Sequence, residues 1–192
     1  IIIDNLLNTG DTFVDIGSNI GILSIIAKKK IGNSGRVLAF EAHPNIANFA
    51  KKNFQLNNLQ IELYNFAIGE EIKKVFISDI PSDDMNYILE NYDKNKFEIK
   101  CYNIDSLKKL YSINKINFLK IDVEGYELNV LKGASTTLQN IDIIYLEITA
   151  DKLNQLNFLS SETLDLIIKN NFTLYIIVNN KIILLKNDFR LS

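Results

Sequence analysis

The chain has 192 residues, 47% of them apolar and 23% charged, with 21 Lys and Arg against 23 Asp and Glu for a net charge of −2. This profile suits a single globular domain over residues 1–192 with one sizeable core. One cysteine (Cys101) and one histidine (His43) exclude a disulfide scaffold and a Cys/His zinc module, and the charge balance argues against a nucleic-acid partner. No apolar stretch reaches the ~18–20 residues of a membrane span, and no signal-peptide pattern opens the chain, so a cytoplasmic location is expected. The first residue is not Met, and a truncated N-terminus is expected.

In chain order, the turn Asn8-Thr9-Gly10-Asp11 precedes a strand over 12–16 (TFVDI). A helix follows over 20–31, with Ile22 and Ile26, and Leu23 and Ala27, paired at i,i+4. It ends in Lys28-Lys29-Lys30, expected to face solvent and complement the helix dipole. The next strand is 36–41 (RVLAFE). Pro44 starts a helix whose apolar face is Ile46, Phe49, Ala50 and Phe54, and a third strand covers 61–66. Residues 70–105 break the alternation. Two antiparallel strands, 72–79 and 97–104, flank a polar stretch with Asp83, Asp84, Tyr87 and Tyr92, a region expected to shape an acceptor pocket.

Beyond a short helix at 105–111 the alternation resumes with a strand over 116–122 (INFLKID). A helix over 125–139 turns Val130, Leu131, Ala134 and Leu138 inward. A strand over 141–148, a helix over 161–170 and a hairpin of 173–178 and 181–186 complete the chain. Strands alternating with helices imply an α/β fold with a mostly parallel sheet covered on both faces, whose ligands bind at the carboxyl ends of the strands. The polar residues at those ends are Asp15, Glu41, Asn65, Asp122 and Glu147.

The first strand runs into Asp15-Ile16-Gly17-Ser18-Asn19-Ile20-Gly21. Gly17 lets a ligand approach the turn, and Gly21 lets the helix pack close to the strand. A dinucleotide site would show G-x-G-x-x-G under a pyrophosphate. Here an acid stands at the first such glycine, which suits an ammonium or sulfonium ligand; a tight turn with a capping Asp is the plainer alternative. Glu41, about twenty residues past the glycine loop, can accept bonds from both hydroxyls of a ribose, or can favour the dipole of the next helix. Asn65 can pair with an adenine edge, with Phe66, Ala67 and Ile68 as walls, or can serve as a turn residue. Together these tips describe S-adenosylmethionine.

The segments TGDTFVDIGSNIGILS, GRVLAFEAHP, LNN at 56–58, YNFAIG, and above all FLKIDVEGYELNVLKGA resemble the FkbM-type S-adenosylmethionine-dependent methyltransferases. CYNIDSL also looks like the family, with Asn103-Ile104-Asp105 where Thr-Leu-Asp is usual. Ser18 and Ala42-His43 are further mild departures. The resemblance implies a class I methyltransferase, Rossmann-like fold: a seven-stranded sheet ending in an antiparallel hairpin. It also implies methyl transfer, usually to an oxygen on a sugar or other small metabolite, with S-adenosylhomocysteine as product. By position, Asp15, Gly17, Ser18, Asn19 and Gly21 match its first cofactor segment, and Glu41 with Ala42 its ribose acid. Asn65, Phe66 and Ala67 match the adenine region, and Asp122 lies where the methyl donor points.

A hydroxyl acceptor needs alignment and proton removal. Asp122, with Glu124 beside it and Glu147 one strand over, is the expected base or acceptor-orienting group. Glu124-Gly125 can equally be helix-start chemistry, and Glu127 a structural helix residue. Such carboxylates can hold Mg²⁺, but nothing in their spacing demands a metal and none is predicted. Lys120 can reach a substrate carboxylate or a rim acid, or pair structurally. His43 is expected to cap a helix or edge the cofactor, and Cys101 is not expected to act as a nucleophile. The competing readings are an NAD-type oxidoreductase, a nucleic-acid methyltransferase and a non-catalytic binding module. The acceptor is expected to be a small molecule or glycan; oligomeric state is not encoded in any motif.

Overall fold

The apolar runs FVDI, VLAF and INFLKI become the middle of a parallel sheet. The computed structural model describes residues 2–79, 88–89, 96–146, 161–179 and 181–184. In chain order these form α1 (Ile2–Leu6), β1 (Thr12–Ile16), α2 (Ile22–Ile31), β2 (Arg36–Phe40), α3 (Pro44–Leu56), β3 (Glu62–Tyr64), β4 (Ala67–Ile68) and β5 (Lys73–Ser78). They continue with β6 (Ile88–Leu89), β7 (Lys96–Tyr102), α4 (Ile104–Leu110), β8 (Ile116–Ile121), α5 (Glu127–Lys132), β9 (Ile141–Leu146), α6 (Ser161–Lys169), β10 (Tyr175–Val178) and β11 (Lys181–Leu184). Two compact units divide the chain, residues 3–147 and 148–192. Asp83, Asp84, Tyr87, Tyr92 and Glu147 lie outside the described residues.

The main sheet has five parallel strands in the order β3-β2-β1-β8-β9. From β1 the chain moves outward through β2 to β3; from β8 it moves the other way to β9. Right-handed crossovers therefore put α2 and α3 on one face and α5 on the other, with the switch point between β1 and β8. Near-continuous apolar strands follow, because both faces are covered: Phe13, Val14, Ile16, Leu38, Phe118, Leu119 and Ile121 are all buried. One core cluster joins Ile3, Leu7, Phe13, Ala27, Ile31, Val37 and Phe118, and another joins Ala39, Ala50 and Phe54.

A single seven-stranded sheet was expected; among the described residues the main sheet has five strands. The hairpin forms where predicted, but β10 and β11 pair antiparallel with each other as a separate two-stranded sheet in the second unit. Strands of the 70–105 region join β4 in a further sheet, β4-β7-β5-β6, in which β5 pairs antiparallel with β6 and β7.

Two helix faces also differ from their periodicity. In α2 the buried residues are Ser24, Ala27, Lys28 and Ile31, while Ile22 is exposed. Lys28 turns inward because its Nζ donates to the carbonyls of Gly32 (3.1 Å) and Gly35 (2.7 Å), satisfying acceptors just past the helix end. In α3 the buried set is Ile46, Ala47, Ala50 and Phe54; Phe49 is 53% exposed, with the Lys52 ammonium 5.6 Å above its ring. The inward set Val130, Leu131, Ala134 and Leu138 is buried as predicted.

Asn103 and Asp105 explain the CYNIDSL segment. Asn103 Oδ1 accepts the Ser106 N–H at 2.9 Å and caps α4. The Asp105 carboxylate accepts from Ser135 Oγ (3.0 Å), Thr136 N (3.0 Å), Thr137 N (2.9 Å) and Thr137 Oγ1 (2.6 Å), tying α4 to the turn that follows α5. Burial alone would raise its pKa; the bonds from Thr137, Thr136 and Ser135 outweigh it and hold the carboxyl below its ordinary value. A depressed acid stabilises the fold above its unfolded pKa and loses that contribution as pH falls through the folded value. Asp105→Ala is expected to cost about 1–3 kcal/mol, solvent screening of this part-exposed group included. Thermal unfolding at neutral pH and at about pH 3 should show the gap to the parent narrowing in acid; an equal gap at both would refute the assignment.

Candidate active site

The strand register decides which residues meet. Ile16 pairs with Phe40 and Ile121, Phe40 with Tyr64, and Ile121 with Leu146. The next residue on each strand is Gly17, Glu41, Asp122 and Asn65, so these leave the sheet at one level. Asp15 sits two positions lower, paired with Ala39 and Lys120. A cleft opens above the switch point, with an empty volume of about 670 Å³ including its open mouth. Gly17, Asn19, Glu41, Asp122 and Glu124 form its polar side; Ala42, Phe66 and Ala67, with Ile77 and Ile88, are among its apolar walls.

The turn after β1 is shaped by contact. Gly17 has φ +72°, and a Cβ there would overlap the Asp122 carbonyl oxygen. Its N–H and that of Ser18 both donate to the Phe40 carbonyl (3.0 Å), and Asp122 N donates to Ile16 O (3.1 Å). Gly21 (φ +84°) lies against the Phe54 ring. Neither Ser18 nor Gly21 lines the cleft. Ser18 Oγ is buried without a hydrogen-bond partner among the described residues.

Glu41 is held at both oxygens. Oε2 accepts the Asn19 N–H and Oε1 the His43 N–H, each at 2.8 Å. Burial raises its pKa above the ordinary value of 4.5, with those two bonds and the nearby charges only partly offsetting it. Asn65 stands outside the cleft lining, and its Nδ2 donates to the carbonyls of Glu41 (2.8 Å) and Ala42 (2.9 Å). That amide braces the turn after β2.

Asp15 is fully buried and does not border the cleft. Ser24 Oγ donates to its Oδ2 at 2.6 Å, and Lys120 Nζ lies 3.4 Å from Oδ1. Asp15, expected to present its carboxylate to a ligand, stands beneath Gly17 with its side chain turned to Ser24 and Lys120. Asp122 does reach the cleft, 30% exposed, with Oδ2 3.2 Å from Lys120 Nζ. Glu124 lines the cleft from a left-handed backbone (φ 52°), a conformation costly for a non-glycine residue and concentrated at functional sites. Glu127 is structural, accepting Gly125 N at 3.0 Å.

His43 occupies the N-cap position of α3 without a side-chain cap bond. Its Nε2 lies 3.2 Å from Asp79 Oδ1 and its ring packs edge-on against Phe97. Cys101 is buried, which pushes its thiol up to about 11 and leaves it unreactive. Among the described residues no group of three or more His, Cys, Asp and Glu could hold a metal, and no helix is long and apolar enough to cross a membrane. Ser24 and Lys28 carried no functional signal in the sequence, since polar residues on a helix ordinarily mark its solvent face. Ile77 and Ile88 gave none either, because only tertiary folding brings them to the cleft.

A sheet of this order with its cleft at the β1/β8 switch point defines a class I methyltransferase-like α/β fold. The FkbM methyltransferase domain matches residues 15–174, and the chain belongs to that family. Hexuronic acid methyltransferase AglP of Haloferax volcanii is 28% identical over 140 residues, covering 73% of this chain and 56% of the relative. Methyltransferase 1 of Beauveria bassiana is 26% identical over 147 residues, covering 64% and 58%. The chain thus spans less than two thirds of the length of these relatives. Among solved structures, the FkbM methyltransferase of Methylobacillus flagellatus shares the fold with a TM-score of 0.52 at 20% identity, covering 81% of this chain and 39% of that one. A putative rRNA methylase of Clostridium thermocellum does so with a TM-score of 0.57 at 13% identity, covering 94% and 84%.

Proposed function

We propose that the chain binds S-adenosylmethionine in this cleft and transfers its methyl group to a hydroxyl of a sugar or other small hydroxylated metabolite. The carrying observation is Glu41: each oxygen is pinned by a backbone N–H, leaving the remaining lone pairs aimed by the fold rather than by the rotamer. A fixed carboxylate beside a glycine turn suits the two hydroxyls of a ribose. The rim carries Glu41, Asp122 and Glu124, and among the described residues neither Lys nor Arg lines the cleft. That charge fits a cationic donor and opposes the pyrophosphate of a dinucleotide.

Gly17 and Asn19 would lie along the donor, Glu41 would take its ribose, and Phe66, Ala67 and Ala42 would wall the adenine. When bound, the donor supplies an electrophilic methyl group on a positively charged sulfur. Asp122 accepts the proton of the acceptor hydroxyl, and Glu124 orients the acceptor from the same loop. The Ile77 and Ile88 wall excludes water and, with the rest of the 70–105 region, shapes the acceptor side. The hexuronic acid named for the Haloferax relative supports a glycan acceptor.

The test is calorimetric titration with S-adenosylmethionine, S-adenosylhomocysteine and NADH, then an assay against nucleotide sugars, including uronic acids, read by mass gain of one methyl. Glu41→Gln retains one acceptor oxygen of two and is expected to weaken donor binding at least about tenfold. Because the raised pKa means that Glu41 gains its proton early on acidification, donor affinity should also fall toward acid pH in the parent. NADH binding without S-adenosylmethionine binding would refute the proposal.

A further inference from the structure

We propose that Lys120 is a positioning residue for methyl transfer: its ammonium ties the Gly17 turn to the Asp122 carboxylate, fixing the donor loop relative to the base. The inference rests on the function proposed above. Lys120 is the last residue but one of β8, at the switch point, and is 3% exposed, between the fully buried Leu119 and Ile121. A cation in such a place is costly unless it is paired and hydrogen-bonded. Its Nζ donates to Gly17 O at 2.6 Å and stands 3.2 Å from Asp122 Oδ2 and 3.4 Å from Asp15 Oδ1. The first contact is a hydrogen bond and the other two are ion pairs; Asp15 Oδ1 has no hydrogen-bond partner among the described residues.

The three partners have different places. Gly17 and Asp122 border the cleft, one from each loop; Asp15 lies beneath it, held on its other oxygen by Ser24. Lys120 therefore reaches the cleft only through other groups. Burial alone would lower its pKa, but Asp15 and Asp122 together outweigh burial and keep it charged. Glu41 also feels its field. The backbones of the two loops already meet where Gly17 abuts the Asp122 carbonyl. Lys120 adds the side-chain crosslink that sets where the Asp122 carboxylate sits. The side chains of Asp15, Lys120 and Asp122 carry a net charge of −1, presented to the cleft by Asp122.

Lys120→Met alone strands Asp15 as a buried unpaired charge and is expected to destabilise the fold severely. The informative variant is the double substitution D15N/K120M. It removes one charge of each sign, so the local net charge is that of the parent, and the amide oxygen introduced at position 15 still accepts from Ser24. D15N, which keeps Lys120, is its reference. The double variant is expected to melt within a few degrees of D15N. Yet hydrogen exchange in the segments 17–19 and 122–125 should be about tenfold faster, and S-adenosylhomocysteine should bind about tenfold more weakly. Unchanged exchange and unchanged affinity would overturn the proposal and leave Lys120 only a neutraliser of Asp15. Should the double variant not fold, Lys120→Arg makes the same comparison with the parent. It keeps the charge but not the compact three-way reach, so faster exchange supports the tether and parental exchange refutes it. If the parent binds neither S-adenosylmethionine nor S-adenosylhomocysteine, the proposed function fails, while the exchange comparison still decides the tether.

Discussion

Replacing Asp122 with alanine is expected to lower kcat by about 10²–10⁴-fold, the range for loss of a positioned general base, with a smaller change in donor affinity. Asp122 is the acid at the switch point that both reaches the cleft and pairs with a buried cation. Its side chain is part-exposed, so alanine leaves room for water rather than an empty core, and the fold should survive. Asp122→Asn keeps an acceptor oxygen for Lys120 but lacks the basic carboxylate. It should be as slow as the alanine variant if proton removal is the role, and faster if orientation is. Single-turnover rates beside calorimetric donor affinities separate the two. A parental kcat in the alanine variant would remove Asp122 from the chemistry.

Gly17→Ala is expected to destabilise the first unit and abolish donor binding together. The residue sits at φ +72°, where a Cβ costs about 1–2 kcal/mol. That Cβ would also overlap the carbonyl oxygen of Asp122. The obstacle is backbone, which cannot rotate away, so overpacking adds about 1–3 kcal/mol. For a chain of this length the sum corresponds to a fall in Tm of roughly 4–20 °C. Relief can come only by parting the two loops that form the cleft floor, so stability and affinity should drop in the same variant. A melting temperature equal to that of the parent would show that the loops are not in the contact described.

Most of the strand and helix positions were legible because each is a local pattern. The runs from Thr12 to Ile16, Arg36 to Phe40 and Ile116 to Ile121 are apolar enough to be strands buried on both sides, and Pro44 marks a helix start. Errors arose where a polar group found a tertiary partner. Lys28 turned inward to carbonyls beyond its own helix, and Ser24 turned inward to Asp15. Phe49 lost its place to Ala47, because the two flank opposite edges of the Ile46, Ala50 and Phe54 stripe and periodicity alone does not fix which edge turns inward. The closing hairpin was legible for the same local reason: the turn chemistry between its two runs specifies that they pair with each other.

The chain's own order of residues determined the α/β class, the glycine turn, and the acids Glu41 and Asp122 at the ends of their strands, because spacing and residue type act locally. Only the tertiary structure decided which strand ends stand level. Register is a property of pairs of strands distant in sequence, and two residues of offset separate a cleft-facing Gly17 from a buried Asp15. It also decided the surroundings of Lys120, whose three partners come from β1, the turn after it and the loop after β8. No single segment contains that geometry.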